Sequence, residues 1–343
     1  SIHPQPEGCG ILDLSCGNRM RIAGIANTPF HIQAEVTTRC NASCTICPRS
    51  YGIAGLSREE DMTFEEFARI LGQFQNLKSI HLQGLGEPLL NRDIFRIIML
   101  CKKRRLSVST TTNGSLLTRD VCEQLVSSGI DRVCISIDTM DERKFQDIRR
   151  GLDLKTVVDN VSTLCKTRDK MGHSTPDLEI QAVGMKYNVE DLVGVTEFGI
   201  GIGASHVRIL DLCPHGHGLA TEENSLTNAD PVKLKRVLTR CEYLCAEQNV
   251  RFDRPVFSPS VNTRAKEACD WPFGKCYVTV DGHVTPCCFL TNPDVESFGN
   301  LLQEPLRDIW NSKRYENLRY RIINGDLPEY CKDCQCNPLP RRQ

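Results

Sequence analysis

Between residues 30 and 212, short β-rich runs alternate with amphipathic helical runs, six times in succession. Strand candidates fall at 30–36, 79–83, 107–112, 132–138, 178–185 and 206–212. Helical patterns at 63–74, 93–104, 119–128 and 154–170 lie between them, the first opened by a capping box of Thr63 and Glu66. Strands separated by helix-length crossovers run parallel, so this alternation dictates a parallel sheet. Six units fall short of a closed eight-fold barrel, and no G-x-G-x-x-G follows the first strand as in a doubly wound sheet. The pattern predicts an α/β fold: an open, partial (β/α)6 TIM-type barrel with its chemistry at the carboxyl ends of the strands. A helix over 231–248 closes the region, and 251–268 reads as an irregular connection. Residues 278–284 read as a hairpin with Asp281-Gly282 as a two-residue turn, followed by helical runs at 306–310 and 314–324. The divisions expected are an unassigned segment 1–29, the partial barrel 30–250 and a smaller C-terminal domain 251–343.

The chain has 343 residues, is 40% hydrophobic, and has no apolar run approaching the length of a membrane span. Its formal net charge is −1 with no long basic block, which argues against nucleic acid or an anionic membrane as partner. Residues 1–10 lack the basic-then-apolar layout of a secretory signal, so a cytoplasmic protein is expected. Nineteen cysteines divide into two sorts. Cys101, Cys122, Cys134 and Cys165 stand singly among apolar residues and read as inert packing thiols. Those at 40–47 and from 269 onward are clustered and read as metal ligands, which requires a reducing compartment.

Cys40, Cys44 and Cys47 follow the first strand in a C-x3-C-x2-C run. One loop with that spacing can place three thiolates on three irons of a [4Fe–4S] cube and leave the fourth iron open to a small molecule. Zinc is the competing preference of clustered thiolates, but zinc sites usually use C-x2-C pairs and four closed ligands. Cluster ligation suits the triplet better.

The triplet resembles that of the radical S-adenosylmethionine (SAM) enzymes, and the likeness extends along the chain. Gln83-Gly-Leu-Gly86-Glu87-Pro88, one β–α unit later, is similar to the Gly-Gly-Glu-Pro motif that holds the SAM amine, with Leu85 where a glycine often sits. The resemblance implies SAM-binding roles for Gly86 and Glu87, for Thr112 and Asn113 after the third strand, for Ser136 at the end of the fourth, and for Arg149. Asp138 matches a position facing SAM ribose or substrate and is the expected proton acceptor.

In the C-terminal part, Cys269 is followed by twelve residues, Gly282, four residues and Cys287, with Cys331-Lys-Asp-Cys334 further on. This arrangement resembles the SPASM or shortened twitch extension, which implies one auxiliary [4Fe–4S] cluster on Cys269, Cys287, Cys331 and Cys334, with Cys276, Cys288 and Cys336 as spare thiols. A structural zinc is the competing reading. The implied fold is therefore a partial (β/α)6 TIM barrel with a small C-terminal SPASM/twitch domain. The implied cofactors are a [4Fe–4S] cluster with an open iron, SAM and the auxiliary cluster. The expected activity is an oxidoreductase that dehydrogenates a small polar substrate (sugar, cyclitol or aminoglycoside type), fed electrons by a flavodoxin or ferredoxin. The single auxiliary cluster and the lack of an evident peptide-recognition domain before the first strand motivate that expectation. The alternatives are a peptide maturase, and an epimerase in which Cys213, just past the sixth strand, donates hydrogen. His215 and His217 beside it are further candidates for substrate contact.

Overall fold

The structure, a computed structural model, describes residues 28–53, 59–255, 269–332 and 334. Among the described residues nine strands form one sheet: β1 (His31–Ala34), β2 (Ser79–Leu82), β3 (Ser107–Thr112), β4 (Arg132–Ser136), β5 (Asp177–Gly184), β6 (His206–Asp211), β7 (Arg251–Asp253), β8 (Lys275–Val278) and β9 (Val284–Thr285). Their spatial order is β7-β6-β5-β4-β3-β2-β1-β8-β9. Every pairing is parallel except β8 with β9, and the sheet remains open between β7 and β9. The crossovers are α1 (Phe64–Gly72), α2 (Ile94–Lys103), α3 (Arg119–Ser127), α4 (Glu142–Ile148), α5 (Leu154–Lys170) and α6 (Leu192–Gly201), and α7 (Pro231–Glu247) leads into β7. Among the described residues no helix is long and apolar enough to cross a membrane.

Local chemistry sets these elements. Thr63 and Glu66 form the reciprocal capping box, Glu66 N–H donating to Thr63 Oγ1 at 3.2 Å and Thr63 N–H to Glu66 Oε2 at 2.9 Å. Phe67, Ile70 and Leu71 of the same helix are buried against the sheet. Asp230 caps α7, with Pro231 at its first position.

Alternation along the strands sorts the two faces. Ile32, Ala34, Ile80, Leu82, Val108, Val133, Ile135, Ile180 and Val207 are buried in the helical layer. The other face carries Gln33, His81, Ser109, Thr111, Ser136, Gln181 and Arg208. Full barrels fill this interior with branched apolar side chains. Here the lumen is polar.

Three expectations are corrected. Residues 251–253, read as irregular, add strand β7 beside β6. The hairpin turn is displaced by one residue: Gly282 N–H donates to Thr279 O at 2.9 Å, and Gly282 has φ +88°. Val280 and Asp281 are therefore the central residues, with Gly282 as the left-handed residue of a bulged three-residue connection. The strand readings at 132–138 and 30–36 overrun the sheet, which ends at Ser136 and Ala34 where the chain turns into the site.

The C-terminal part joins the barrel through the backbone. β8 pairs with β1 in register His31↔Lys275 to Ala34↔Val278. Beyond it, Phe298, Trp310 and Tyr315 pack together, with ring centroids 4.0 and 4.7 Å apart. The Arg319 guanidinium lies over the Trp310 and Tyr315 rings at 4.3 and 4.4 Å and donates to the Pro272 and Trp310 carbonyls. Ring faces and carbonyls together compensate that buried cation.

Candidate active site

The loop carrying Cys40, Cys44 and Cys47 leaves β1 at the carboxyl end of the sheet and is pinned from several sides. Arg39 binds Asp61 through two hydrogen bonds of 3.0 and 2.5 Å. Ser43 N–H donates to Arg150 O and Thr45 N–H to Ile148 O, both at 2.8 Å, so the segment after α4 straps the loop. Glu87 N–H donates to Arg39 O at 2.8 Å, Asn113 Nδ2 to Asn41 Oδ1 at 2.9 Å, and Leu219 N–H to Thr45 O at 3.1 Å. The ends of β2, β3, β4 and β6 thus all bear on this loop. Its three cysteines are half-buried, outside any disulfide, and each feels its neighbours' charge. Burial pushes the Cys44 thiol up to about 11, against the helping charge of Arg149. Such thiols stay protonated unless a metal displaces the proton. Half-buried sulfurs from one rigid loop are the donor set an iron–sulfur cluster takes.

The 83–88 turn is built around two glycines. A Cβ on Gly86 would lie 2.3 Å from Thr37 O and 2.6 Å from Arg39 O, so no other residue fits against the cysteine loop. Glu87 is 2% exposed and fully engaged. It accepts from Thr112 Oγ1 at 2.7 Å, Asn113 N–H at 2.8 Å and Leu89 N–H at 3.2 Å. Its carboxylate therefore braces β2 against β3. Thr112 and Asn113 are buried beside it, while Ser136 is half-buried at the lumen end of β4.

Asp138 is wholly buried, and both of its oxygens are occupied. Oδ2 accepts from Arg149 Nε and Oδ1 from Val183 N–H, each at 2.8 Å. Arg149 is nearly buried and lies close enough to Cys44 and Cys47 for their charges to interact. The pair sits beneath the cysteine loop.

Cys213 is exposed at the barrel mouth, yet Cys334 is among the groups that raise its pKa, after burial. The Cys213 and Cys334 thiols are therefore within range of each other's charge. Tyr51 and His217 stack at 5.2 Å, with His215 5.6 Å from Tyr51, and cover the outer side of the cysteine loop. A Cβ on Gly218 would meet the Tyr51 hydroxyl at 2.1 Å, and its φ of +55° also favours glycine.

Cys269, Cys287, Cys331 and Cys334 lie within range of one another's charge, and among the described residues no three metal-binding side chains converge on a single ion position. Burial raises Cys269 to about 11 and Cys331 to about 12, with Cys287 and Cys334 adding to both. Cys288 lies in the same neighbourhood. Cys276 is fully buried on β8, on the side of Tyr315, and reads as core packing. Cys336 lies outside the described residues.

Sequence reasoning overlooked the wall of the lumen. His81 Nδ1 pairs with Ser109 Oγ at 2.8 Å, and its Nε2 lies 2.6 Å from Gln83 Oε1 and 3.1 Å from Thr111 Oγ1. Gln33 Nε2 donates to Gln83 O at 3.2 Å. Lower down, His206 sits between Glu179 and Asp253 at 3.2 and 3.0 Å, and Arg208 reaches both carboxylates at 3.3 Å. Polar residues at every second strand position were the signal: His31, Gln33, Glu35; Ser79, His81, Gln83; Ser107, Ser109, Thr111.

Residues 34–198 match the radical SAM superfamily, and residues 269–335 match the iron–sulfur cluster-binding SPASM domain. The chain is 25% identical over 321 residues to the tungsten-containing aldehyde ferredoxin oxidoreductase cofactor-modifying protein of Pyrococcus furiosus, covering 89% of this chain and 86% of that one. It is 27% identical to the AdoMet-dependent heme synthase of Methanosarcina barkeri, covering 86% of each. Its fold is similar to that of Streptococcus suis SuiB bound to S-adenosylmethionine, with a TM-score of 0.70 at 15% identity over 86% of this chain and 68% of that one. The cysteine loop, the glycine-dependent turn and the two matches agree, and the chain belongs to the radical SAM superfamily, in the group whose catalytic domain is followed by a SPASM domain.

Proposed function

We propose that this radical SAM enzyme oxidises a small, neutral, polyhydroxylated substrate held in the lumen of the open barrel. Membership of the family brings [4Fe–4S] chemistry, SAM and an auxiliary cluster. In this reading Cys40, Cys44 and Cys47 hold the first cluster. The turn at Gly86 and Glu87, with Thr112, Asn113, Ser136 and Arg149, holds SAM. Cys269, Cys287, Cys331 and Cys334 hold the auxiliary cluster. When bound, these cofactors supply a 5′-deoxyadenosyl radical that removes one hydrogen atom from the substrate, and an acceptor for one further electron.

The wall of the lumen carries the reading. Amides, hydroxyls and imidazole line its middle (Gln33, His81, Gln83, Ser109, Thr111, Ser136, Gln181), while formal charges are paired among themselves lower down. Such a wall satisfies several substrate hydroxyls without leaving a buried charge unpaired. Turning an alcohol carbon into a ketone removes a hydrogen atom, a proton and one further electron. The proton needs an acceptor with a lone pair to offer. Asp138 is wholly buried and already paired with the Arg149 guanidinium, so its part is to hold Arg149. His81 is neutral near pH 7, because burial lowers its pKa; its Nε2–H donates to Gln83 Oε1, which leaves the Nδ1 lone pair facing the Ser109 hydroxyl, through which a proton can be relayed.

A second reading, modification of a peptide, is favoured by the rim, where Tyr51 and Leu210 are more than one-third exposed. SuiB, of like fold, has also been solved with its precursor peptide SuiA. The test is to reconstitute the enzyme anaerobically and offer it SAM, a flavodoxin or ferredoxin reductant, and panels of cyclitols, amino sugars and short peptides. The expected result is a ketone formed one-for-one with 5′-deoxyadenosine from a polyol. Solvent deuterium in an unoxidised product, lost in Cys213→Ala, would replace oxidation by epimerisation. Turnover confined to peptides would establish the second reading.

A further inference from the structure

Glu35 stands one residue past β1, is 1% exposed, and directs its two carboxylate oxygens to two different loops. Oε1 accepts from Leu85 N–H at 3.0 Å, in the middle of the 83–88 turn. Oε2 accepts from Val280 N–H at 3.4 Å, at the tip of the hairpin that leads through β9 to Cys287. Glu35 N–H itself donates to Val278 O at 2.8 Å, extending the β1–β8 pairing up to the carboxylate. The Tyr277 hydroxyl, on β8 and fully buried, faces the same carboxylate. Gly84 closes the arrangement: a Cβ there would lie 2.2 Å from Glu35 Cγ, so the turn is pressed against this side chain.

A buried carboxylate must have its acceptors filled, and this one is filled by donors from the two halves of the enzyme. The distance between those donors is fixed by a single rigid group. We infer that Glu35 is a positioning residue that locks the auxiliary-cluster hairpin to the SAM-binding turn, so that a change at one site is felt at the other. The inference rests on the assignment of the 83–88 turn to SAM and of the hairpin to the auxiliary cluster, and adds their coupling. Coupling between binding sites is reciprocal, so a change made on the hairpin alone must alter SAM affinity.

Two variants test it in the cluster-loaded enzyme. Glu35→Gln keeps the shape but sets an NH2 group against one of the two N–H donors. Val280→Pro deletes the hairpin's N–H and keeps an apolar side chain at this buried position, the second of a turn, where the fixed φ of proline is favoured. SAM affinity is read by anaerobic calorimetry, and the auxiliary cluster by its electron paramagnetic resonance and midpoint potential. Both variants are expected to weaken SAM binding about tenfold, within the usual range of allosteric coupling. Glu35→Gln is also expected to shift the auxiliary potential. Wild-type SAM affinity in Val280→Pro, with an unchanged auxiliary signal, would overturn the inference even if Glu35→Gln fails to fold. Failure of the wild-type enzyme to bind SAM would instead overturn the assignment beneath it, and the inference with it.

Discussion

Asp138→Ala distinguishes a structural carboxylate from a catalytic one. In the native protein Asp138 is completely buried, and its 2.8 Å contact is with an Arg149 side chain only 11% exposed. Removing one partner of a buried pair leaves the other charge uncompensated, at a cost of about 3–5 kcal/mol. Val183 N–H loses its acceptor as well, which adds roughly 1–3 kcal/mol. The double variant Asp138→Leu/Arg149→Met removes both charges and should recover the larger part of this loss. The assay is urea unfolding under argon, followed by tryptophan fluorescence, with all variants at equal cluster content. Background cleavage of SAM to 5′-deoxyadenosine is measured in parallel. If Asp138→Ala unfolds within about 1 kcal/mol of wild type, yet loses substrate oxidation while keeping SAM cleavage, the reasoning is refuted and Asp138 is the proton acceptor after all.

Three other consequences can be checked directly. His31 has its pKa lowered from 6.5 to about 4, by burial first and then by His81 and Lys275, with Asp270 opposing. As pH falls from 6.5 towards 4 only the unfolded chain takes up this proton, so stability drops by about 1.4 kcal/mol per unit, a slope that His31→Gln should abolish in urea midpoints measured against pH. Gly86→Ala drives a methyl into Thr37 O and Arg39 O, and should cost the first cluster its SAM affinity in calorimetry while the auxiliary cluster signal persists. Trp310→Ala empties the aromatic core that Trp310 forms with Tyr315 and Arg319 in the C-terminal part, at about 3–5 kcal/mol; iron analysis should fall from about eight towards four per chain, with the SAM-dependent signal retained.

Much of the barrel was legible because each strand carries its own signal. β3 occupies 107–112 as read, and α5 occupies 154–170 as read, since alternation and an amphipathic stripe are local properties. What was not legible depends on partners far along the chain. The pairing of β8 with β1 joins segments more than 240 residues apart and leaves no mark on either one. α6 was overlooked because LVGVTEFGIG is apolar all round and offers no stripe. α4, seven residues long, is too short for periodicity to register. The hairpin was recognised but its turn misplaced, because Asp-Gly suits a two-residue turn as well as the end of a longer one. At the site, the family resemblance implied that Glu87 and Asp138 face cofactor or substrate. Only the fold shows that their oxygens are filled by Thr112, Asn113, Arg149 and Val183. The polar lumen was written in the strands as a period of two, although parallel strands covered on both sides are commonly apolar on both faces.

The central claim is that the iron left open by Cys40, Cys44 and Cys47 takes the methionyl end of SAM. It is tested by electron–nuclear double resonance on the reduced enzyme with SAM carrying 15N in its amine and 17O in its carboxylate. Couplings from both labels to the cluster, absent when Cys44→Ala removes a ligand, are the predicted result. A fully reconstituted first cluster that shows neither coupling would contradict the account.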